Sequence, residues 1–571
     1  MQLSVLGLLG LLFLTSCTTP ATQQGSGAGS SAPSAPKRMT VGVGTEPKGW
    51  GPWEAITTVG GLEEVLPLAT RTLTIVDGNR TVQPELATSV PSVASGDWKI
   101  NSDGTMEQTW MLKPNAKWHD GQAVTAEDFV FSWQVWANPL LPNRPEDGFN
   151  LISGAQAVDL RTLRLTFRTA TPLAGQGIFN PYPRHLLSLL MDSGDADRIM
   201  SSPYWNTEYV GAGPYRIVHW ERGAFVNYEA FSEYHGGKPK IDQLQVKFLS
   251  DGNTLLANLL AGEVDTTWPD GISVEMAVDL QRGWAAPGTG NNLMLYVDGR
   301  ITRMTFQHRQ EFAQPSVALD PRVRRAFYHT MDKDAINLVE TGGAGALANS
   351  LVQPNDTRTP QFASVVPDWS LDIALAQRVL ADAGWQRGPD GTLVHGPTGQ
   401  RMESDIRVTN TPGHVGALAI MADGWRKIGA QVTETVMPGA LSTNAEYRST
   451  YPWASLTSGT GFSGTDGGVL GGNDTSWECK PALRQNNWVG SRDGYCNEGV
   501  DGLVKRLQTT IPMAERTALQ MQILRALLME EYATLPLFWL VVPLPYAKGI
   551  TGPSPAVLGG VPWNIHLWDR P

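Results

Sequence analysis

At 571 residues, 41% of them hydrophobic and 17% charged, the chain has the composition of an ordinary globular protein and is too long to be built round one core. A net charge of −11 and the lack of any block of Lys and Arg exclude a nucleic-acid surface. Beyond the amino terminus no segment is apolar for long enough to span a bilayer; the best candidate, 535–546, is broken by Pro536, Pro543 and Pro545 and reads as buried extended chain.

In chain order, Leu3 to Phe13 is almost wholly apolar, too short for a transmembrane helix, and runs directly into Leu14-Thr15-Ser16-Cys17. That tetrapeptide resembles a bacterial lipobox. Residues 1–17 therefore read as a lipoprotein signal peptide cleaved before Cys17, with lipid on its thiol tethering the mature protein outside the cytoplasmic membrane. Met1-Gln2 departs from the pattern in carrying no Lys or Arg. Residues 18–37, rich in Ser, Gly, Pro, Ala and Thr, form a flexible linker with a reach of about 25 Å. Thr40 to Val43 starts a first strand, which Thr45-Glu46-Pro47 leaves as a loop rich in Gly and Trp through Trp53. Trp118-His119-Asp120-Gly121 turns into Thr125-Ala126-Glu127-Asp128, a capping box, and the helix it opens places Phe129, Trp133 and Trp136 on one face. His119 stands beside Asp120 with no nucleophile near it and reads as structural. Leu160 to Phe167 alternates as a strand.

The most legible stretch runs from Gly211 to Asp265. Gly211, Gly213 and Pro214 make a turn; Tyr215 to Trp220 and Ala224 to Tyr228 pair as a hairpin round Glu221-Arg222-Gly223; Leu244, Val246 and Phe248 alternate as a third strand. Thr254 is expected to cap a helix whose stripe is Leu255, Leu256, Leu259 and Leu260, ended by Gly262 before a new strand at Val264-Asp265. Strand, helix and strand in that order are a βαβ unit.

Three motifs of this stretch, Gly-Ala-Gly-Pro-Tyr-Arg (Gly211 to Arg216), the run Tyr234 to Pro239 and Leu-Ala-Gly-Glu-Val-Asp (Leu260 to Asp265), together resemble family 5 of the extracellular solute-binding proteins, which serves oligopeptide, dipeptide and nickel ABC importers. The runs Trp118 to Val130 and Leu319 to Ala326 match further signatures of the family. The resemblance implies an α/β, two-lobed periplasmic-binding-protein fold of the type II, large cluster-C-like kind, with an extra inserted subdomain and a two-strand hinge. Lobe I would comprise 38–295 plus 535–571, including the inserted subdomain at about 75–190, and lobe II 296–534. The crossings between lobes would be Asn292 to Val297 and Thr534 to Leu540.

Further on, Asp320-Pro321 opens a helix with Val323, Phe327 and Met331 on one face, and Arg322, Arg324 and Arg325 are expected to be solvated. A helix capped by Ser370 ends at Gly384, Asp390-Gly391 turns a hairpin, Ala417 to Ile428 is helical, and Pro512 opens the last helix, with Leu519, Ile523 and Leu527 on its inner side. With Cys17 set aside, Cys479 and Cys496 are an exported pair expected to form a disulfide, the alternative being two buried free thiols. Gly459-Thr460-Gly461-Phe462-Ser463-Gly464 is formally a dinucleotide fingerprint, but the glycines that follow it cannot open the helix such a site needs.

The resemblance implies that the loop after the first strand and the Gly-rich stretch face a ligand cleft. The ligand-binding residues it points to are Asp466, pairing with a peptide α-ammonium, with Glu46, Trp50, Trp453, Gly461, Phe462, Trp539 and Tyr296. The expected ligand is an oligopeptide, with an oligosaccharide or a nickel or metal chelate as the alternative, and the expected partners are an ABC permease and the membrane, reached through a lipid anchor by a monomer. No cofactor and no metal is expected: nine scattered histidines and three cysteines show no ligand spacing. A surface peptidase is the alternative from another class, but the chain contains no His-Glu-x-x-His and no Gly-x-Ser-x-Gly.

Overall fold

A large mixed sheet runs through the protein and carries both lobes. The computed structural model describes residues 35–571 apart from 55–61, 80, 144–147, 177–178, 270, 355, 411, 442–443, 461–478, 480, 489 and 555–559, and Lys37–Pro571 forms one compact unit. The sheet strands, in chain order, are β1 (Arg38–Val43), β2 (Tyr215–Glu221), β3 (Phe225–Ala230), β4 (Gln243–Phe248), β5 (Thr266–Thr267), β6 (Asn292–Phe306), β7 (Ala346–Leu347), β8 (Glu403–Val408), β9 (Gln431–Val436), β10 (Ala454–Thr460) and β11 (Thr534–Tyr546). Their spatial order is β9-β8-β10-β6-β11-β5-β1-β4-β3-β2, with β7 added alongside β11. β1 is parallel to both β4 and β5, which makes the expected βαβ unit, and at the other end β8 is parallel to β9 and β10.

Two hydrophobic cores flank this sheet. The first collects β1, β3, β4 and the inserted subdomain, where a four-stranded antiparallel sheet (98–100, 106–111, 162–167, 152–157) packs on helix α1 (Ala126–Trp136). α1 begins where the capping box predicts, with the Thr125 N–H donating to Asp128 Oδ2 at 2.8 Å. The helix of the βαβ unit, α2 (Gly252–Ala261), starts earlier than expected because Asp251 rather than Thr254 caps it, accepting the Thr254 N–H at 2.8 Å; Gly262 ends it at φ 75°. α3 (Val274–Arg282) follows, with Ala277 and Leu280 in a small satellite core beside α2.

The second core is built from β6, β8, β10 and β11 with α4 (Pro321–Tyr328), α5 (Lys333–Thr341), α6 (Ile373–Asp382), α7 (Pro412–Ile428) and α8 (Met513–Arg525). Two expectations are corrected here. Asp372, not Ser370, caps α6, because its carboxylate accepts the Leu375 N–H at 2.7 Å. Arg324 is not on a solvated face: it is 1% exposed and its guanidinium donates to the carbonyls of Glu531 and Tyr532, tying α4 to the approach to β11.

β6 and β11 are antiparallel partners along almost their whole length, from Asn292↔Tyr546 to Thr305↔Thr534, and they form the two-strand hinge. The ladder slips between Val297 and Ile301, where Gly299 takes φ 91° and its carbonyl accepts from the Gln353 carboxamide at 3.2 Å. Side chains from Ile301 onward on β6 and up to Leu540 on β11 pack in the second core, whereas Met294, Tyr296 and Leu544 pack in the first. Leu535, Leu537, Phe538 and Trp539 thus pack with the second core. Among the described residues no helix is long and apolar enough to cross a membrane.

Candidate functional site

In open α/β sheets, solutes bind outside the carboxyl ends of the parallel strands. Here two such ends exist, one in each lobe. In the first, the loop leaving β1 is stitched down by its own charges. Glu46 accepts from Trp220 Nε1 at 2.9 Å and from the Gly223 N–H at 3.0 Å, and pairs with Arg222 at 3.3 Å. Arg222 in turn donates to the carbonyl of Lys48 at 3.1 Å and lies 4.3 Å over the Trp220 ring. Trp50 is buried against Tyr209 and Trp220, ring centroids 5.7 and 5.6 Å away, and its backbone N–H donates to the Trp205 carbonyl. Glu46 and Trp50 thus anchor the loop to the β2–β3 hairpin.

In the second lobe a cavity of about 190 Å³ opens beside the ends of β8 and β9 and along β10. Hydroxyls line much of it: Thr305, Thr409, Tyr451, Ser455, Thr457 and Ser458. Arg448, Arg492, Asp493 and His414 supply charge and titratable groups, with Met437 and Leu456 as the apolar wall. Tyr451 Oη lies 3.2 Å from Thr305 Oγ1, and Ser458 Oγ 3.2 Å from Thr302 Oγ1. Asp493 is 4% exposed; its carboxylate accepts from the Ser491 hydroxyl and from the Tyr495 N–H at 3.0 Å. Burial raises its carboxyl above the ordinary range despite those bonds and the nearby guanidinium groups of Arg303 and Arg309. Arg309 donates to the carbonyls of Ser449, Ala482 and Arg492, so one buried guanidinium pins three chain segments round the cavity. Cys479 and Cys496 are bonded, as expected, and the loop they close contains Arg492 and Asp493.

The cavity suits recognition of a polar, charged solute rather than turnover. The Thr409 hydroxyl and His414 Nδ1 share a hydrogen bond, but His414 Nε2 lies 3.9 Å from Glu340, beyond hydrogen-bond reach, so among the described residues no carboxylate orients the imidazole. Burial pushes His414 down to about 4 and Glu340 up to about 7, toward neutral forms of both.

The residues expected at the ligand fall into three groups. Asp466, Gly461 and Phe462 lie outside the described residues, as do the lipobox and Cys17. Trp453 and Trp539 are corrected from cleft walls to core: Trp453 is 0% exposed and surrounded by Phe306, Phe327 and Trp425, while Trp539 is buried on β11 between Ile301 and Ala346. Tyr296 sits half-buried on the hinge, opposite Val542, and Glu46 and Trp50 hold the β1 loop as described. Reading the chain alone missed Tyr451, Arg448, Asp493 and His414, which come from three separate stretches: the start of α7, the β9–β10 connection and the loop closed by the disulfide. Their one local signal is that each lies within a few residues of a strand or helix end.

Residues 81–475 match the bacterial extracellular solute-binding proteins, family 5. The glutathione-binding protein GsiB of Pectobacterium atrosepticum is 28% identical over 313 residues, 53% of this chain and 54% of that protein. The heme-binding protein A of Haemophilus influenzae is 26% identical over 415 residues, 68% of each. The first match thus spans about half the length of the relative. The oligopeptide binding protein from Thermus thermophilus, solved with a pentapeptide, superposes with a TM-score of 0.67 at 20% identity, covering 93% of this chain and 96% of that one. A two-lobed sheet crossed by a two-strand hinge, with the family match running over most of its length, establishes that the chain belongs to the bacterial extracellular solute-binding proteins, family 5.

Proposed function

We propose that the protein is the substrate-binding lipoprotein of an ABC importer, which captures oligopeptides between its lobes, closes over them about the hinge and delivers them to a membrane permease. The observation that carries the ligand class is the second-lobe cavity, where two arginines, a buried aspartate and a row of hydroxyls offer donors and acceptors of both signs. A peptide presents the complementary set: two charged termini and a backbone of alternating N–H and C=O groups. Closure follows from contacts the ligand makes only when both lobes reach it. The relatives named for glutathione and the structure solved with a pentapeptide support this class; the relative named for heme marks how far ligand chemistry can vary within such a fold. In this reading Asp466 pairs with the ligand's α-ammonium, Cys17 carries the lipid, and residues 18–37 let a monomeric body reach its permease from the outer face of the cytoplasmic membrane.

The test is native mass spectrometry of residues 37–571, then gentle denaturation and identification of the released solutes. A heterogeneous set of peptides of narrow length is expected. A sugar series or a metal chelate would replace the ligand class. For the site, Asp466→Ala is expected to weaken a peptide with a free amino terminus at least tenfold more than its N-acetylated counterpart, and equal losses would remove the role assigned to Asp466.

A further inference from the structure

Helices α3 and α5 belong to different lobes and meet beside the hinge. α3 packs through Ala277 and Leu280 into the first-lobe satellite core, α5 through Ile336 into the second core. At the glycine that ends α5 the two come close: a Cβ on Gly342 would lie 3.8 Å from Val278 Cγ2 of α3. Glu275 is one turn before Val278 and so shares its face of α3, and Glu340 lies in the last turn of α5. Glu275 is exposed on that face of α3, and its charge bears on Glu340 from the opposite lobe.

The Glu340 side chain is only 8% exposed, and its Oε1 is buried with no hydrogen-bond partner among the described residues. Its Oε2 lies 3.9 Å from His414 Nε2, while His414 Nδ1 is engaged by Thr409. The end of α5 adds partial negative charge at the same place. The titratable groups facing Glu340 from neighbouring elements are therefore Glu275 on α3 and His414 on α7; Lys333 and Asp334 sit at the opposite end of α5, with Lys333 Nζ donating to the Ala348 carbonyl at 2.6 Å and to Asn349 at 2.7 Å. A buried carboxylate with no donor and a second carboxylate opposite is better satisfied by a proton than by its charge.

We propose that Glu340 and Glu275 form a proton-binding contact between the lobes, so that the lobes come together with uptake of one proton and part more readily once Glu340 is ionised. Burial and then Glu275 push Glu340 up to about 7 in the joined state. Parting the lobes takes α3 and the charge of Glu275 away from it and lowers it toward its ordinary value, 4.5. Between these values the joined state binds more protons, so its advantage is full below the lower value, declines as pH rises through about 7 and is constant above. The change is at most tenfold per pH unit in the joined-to-parted ratio. This device rests on the hinge and is independent of the ligand class.

The experiment uses residues 37–571 without ligand and follows the radius of gyration by small-angle scattering from pH 5 to 8. The native protein is expected to expand as pH rises, Glu340→Gln to stay compact throughout, and Glu275→Gln to expand at lower pH with smaller amplitude. A radius that ignores pH, or one that rises equally in Glu340→Gln, would overturn the proposal. Thermal midpoints guard against a misfolded variant: Glu340→Gln should match the native protein at pH 5 and exceed it at pH 8, and a midpoint below native at pH 8 would also refute the contact.

Discussion

The two strand-end regions solve opposite problems. After β1, the Glu46–Arg222 pair is spent internally: Glu46 on Trp220, Gly223 and Arg222, and Arg222 on the backbone of the loop itself. After β8 and β9, charged groups are instead turned toward an open volume, and a separate buried residue, Arg309, carries the structural duty. The first region is a fixed wall, the second a receptive one. Their acid–base character differs in the same way. In the first lobe burial opposes the charge of Glu85, yet His235 and Arg71 outweigh it and hold Glu85 at about 2; in the second, burial leaves Glu340, Asp405 and Asp493 raised.

Acid should break the comparison most visibly. His119 and His566 in the first lobe are both pushed down to about 4 by burial, so the stability they contribute is present above the ordinary imidazole value and is lost as pH falls toward 4; that of Glu85 is lost lower still. In the second lobe His308 and His414, at about 3 and about 4, act in the same direction, but the raised carboxyls of Glu340, Asp405 and Asp493 act oppositely, since each holds a proton more tightly folded than unfolded. Hydrogen exchange at pH 4 is expected to release the amides of Val226 and Val246 well before those of Ile406 and Leu456. Simultaneous release would erase the distinction. Next in size, Trp453→Ala should cost about 3–5 kcal/mol, as removal of a core tryptophan does, with loss confined to the second lobe in a calorimetric scan. A variant of native stability that merely lost ligand would return Trp453 to the cleft. The smallest effect sharpens the first wall: Glu46→Gln keeps an acceptor for Trp220 but ends the partly exposed pair with Arg222. It should cost under about 1 kcal/mol, read from urea midpoints.

Much of the scaffold is legible in the residues because its rules are local. The capping box at Thr125, the glycine end at Gly262, the Asp320-Pro321 start and the alternation of β2, β3 and β4 each depend on a few neighbours. Errors arise where a distant partner decides. Arg324 looks solvated by periodicity and is buried because the carbonyls of Glu531 and Tyr532 wait for it two hundred residues on. The family resemblance points to Trp453 and Trp539 as ligand walls, but Phe306, Phe327, Trp425 and β7 enclose them. The cavity is the extreme case, since its lining comes from β6, β10 and three connections that only the assembled sheet brings together.

The pairing of β6 with β11 has a mechanical consequence. Two independent linkers would let one lobe swivel, slide and tilt about the other. A continuous antiparallel ribbon resists stretching and shear through the rungs of its ladder and yields where the register shifts, between Val297 and Ile301 and again between Thr302 and Arg303. The relative motion of the lobes is thereby confined to flexing a single narrow strip, with Gly299 as its compliant point and the Gln353 carboxamide as a stop resting on it. Under the proposed function a solute would meet a jaw with one stroke and find the same geometry on closure at every cycle.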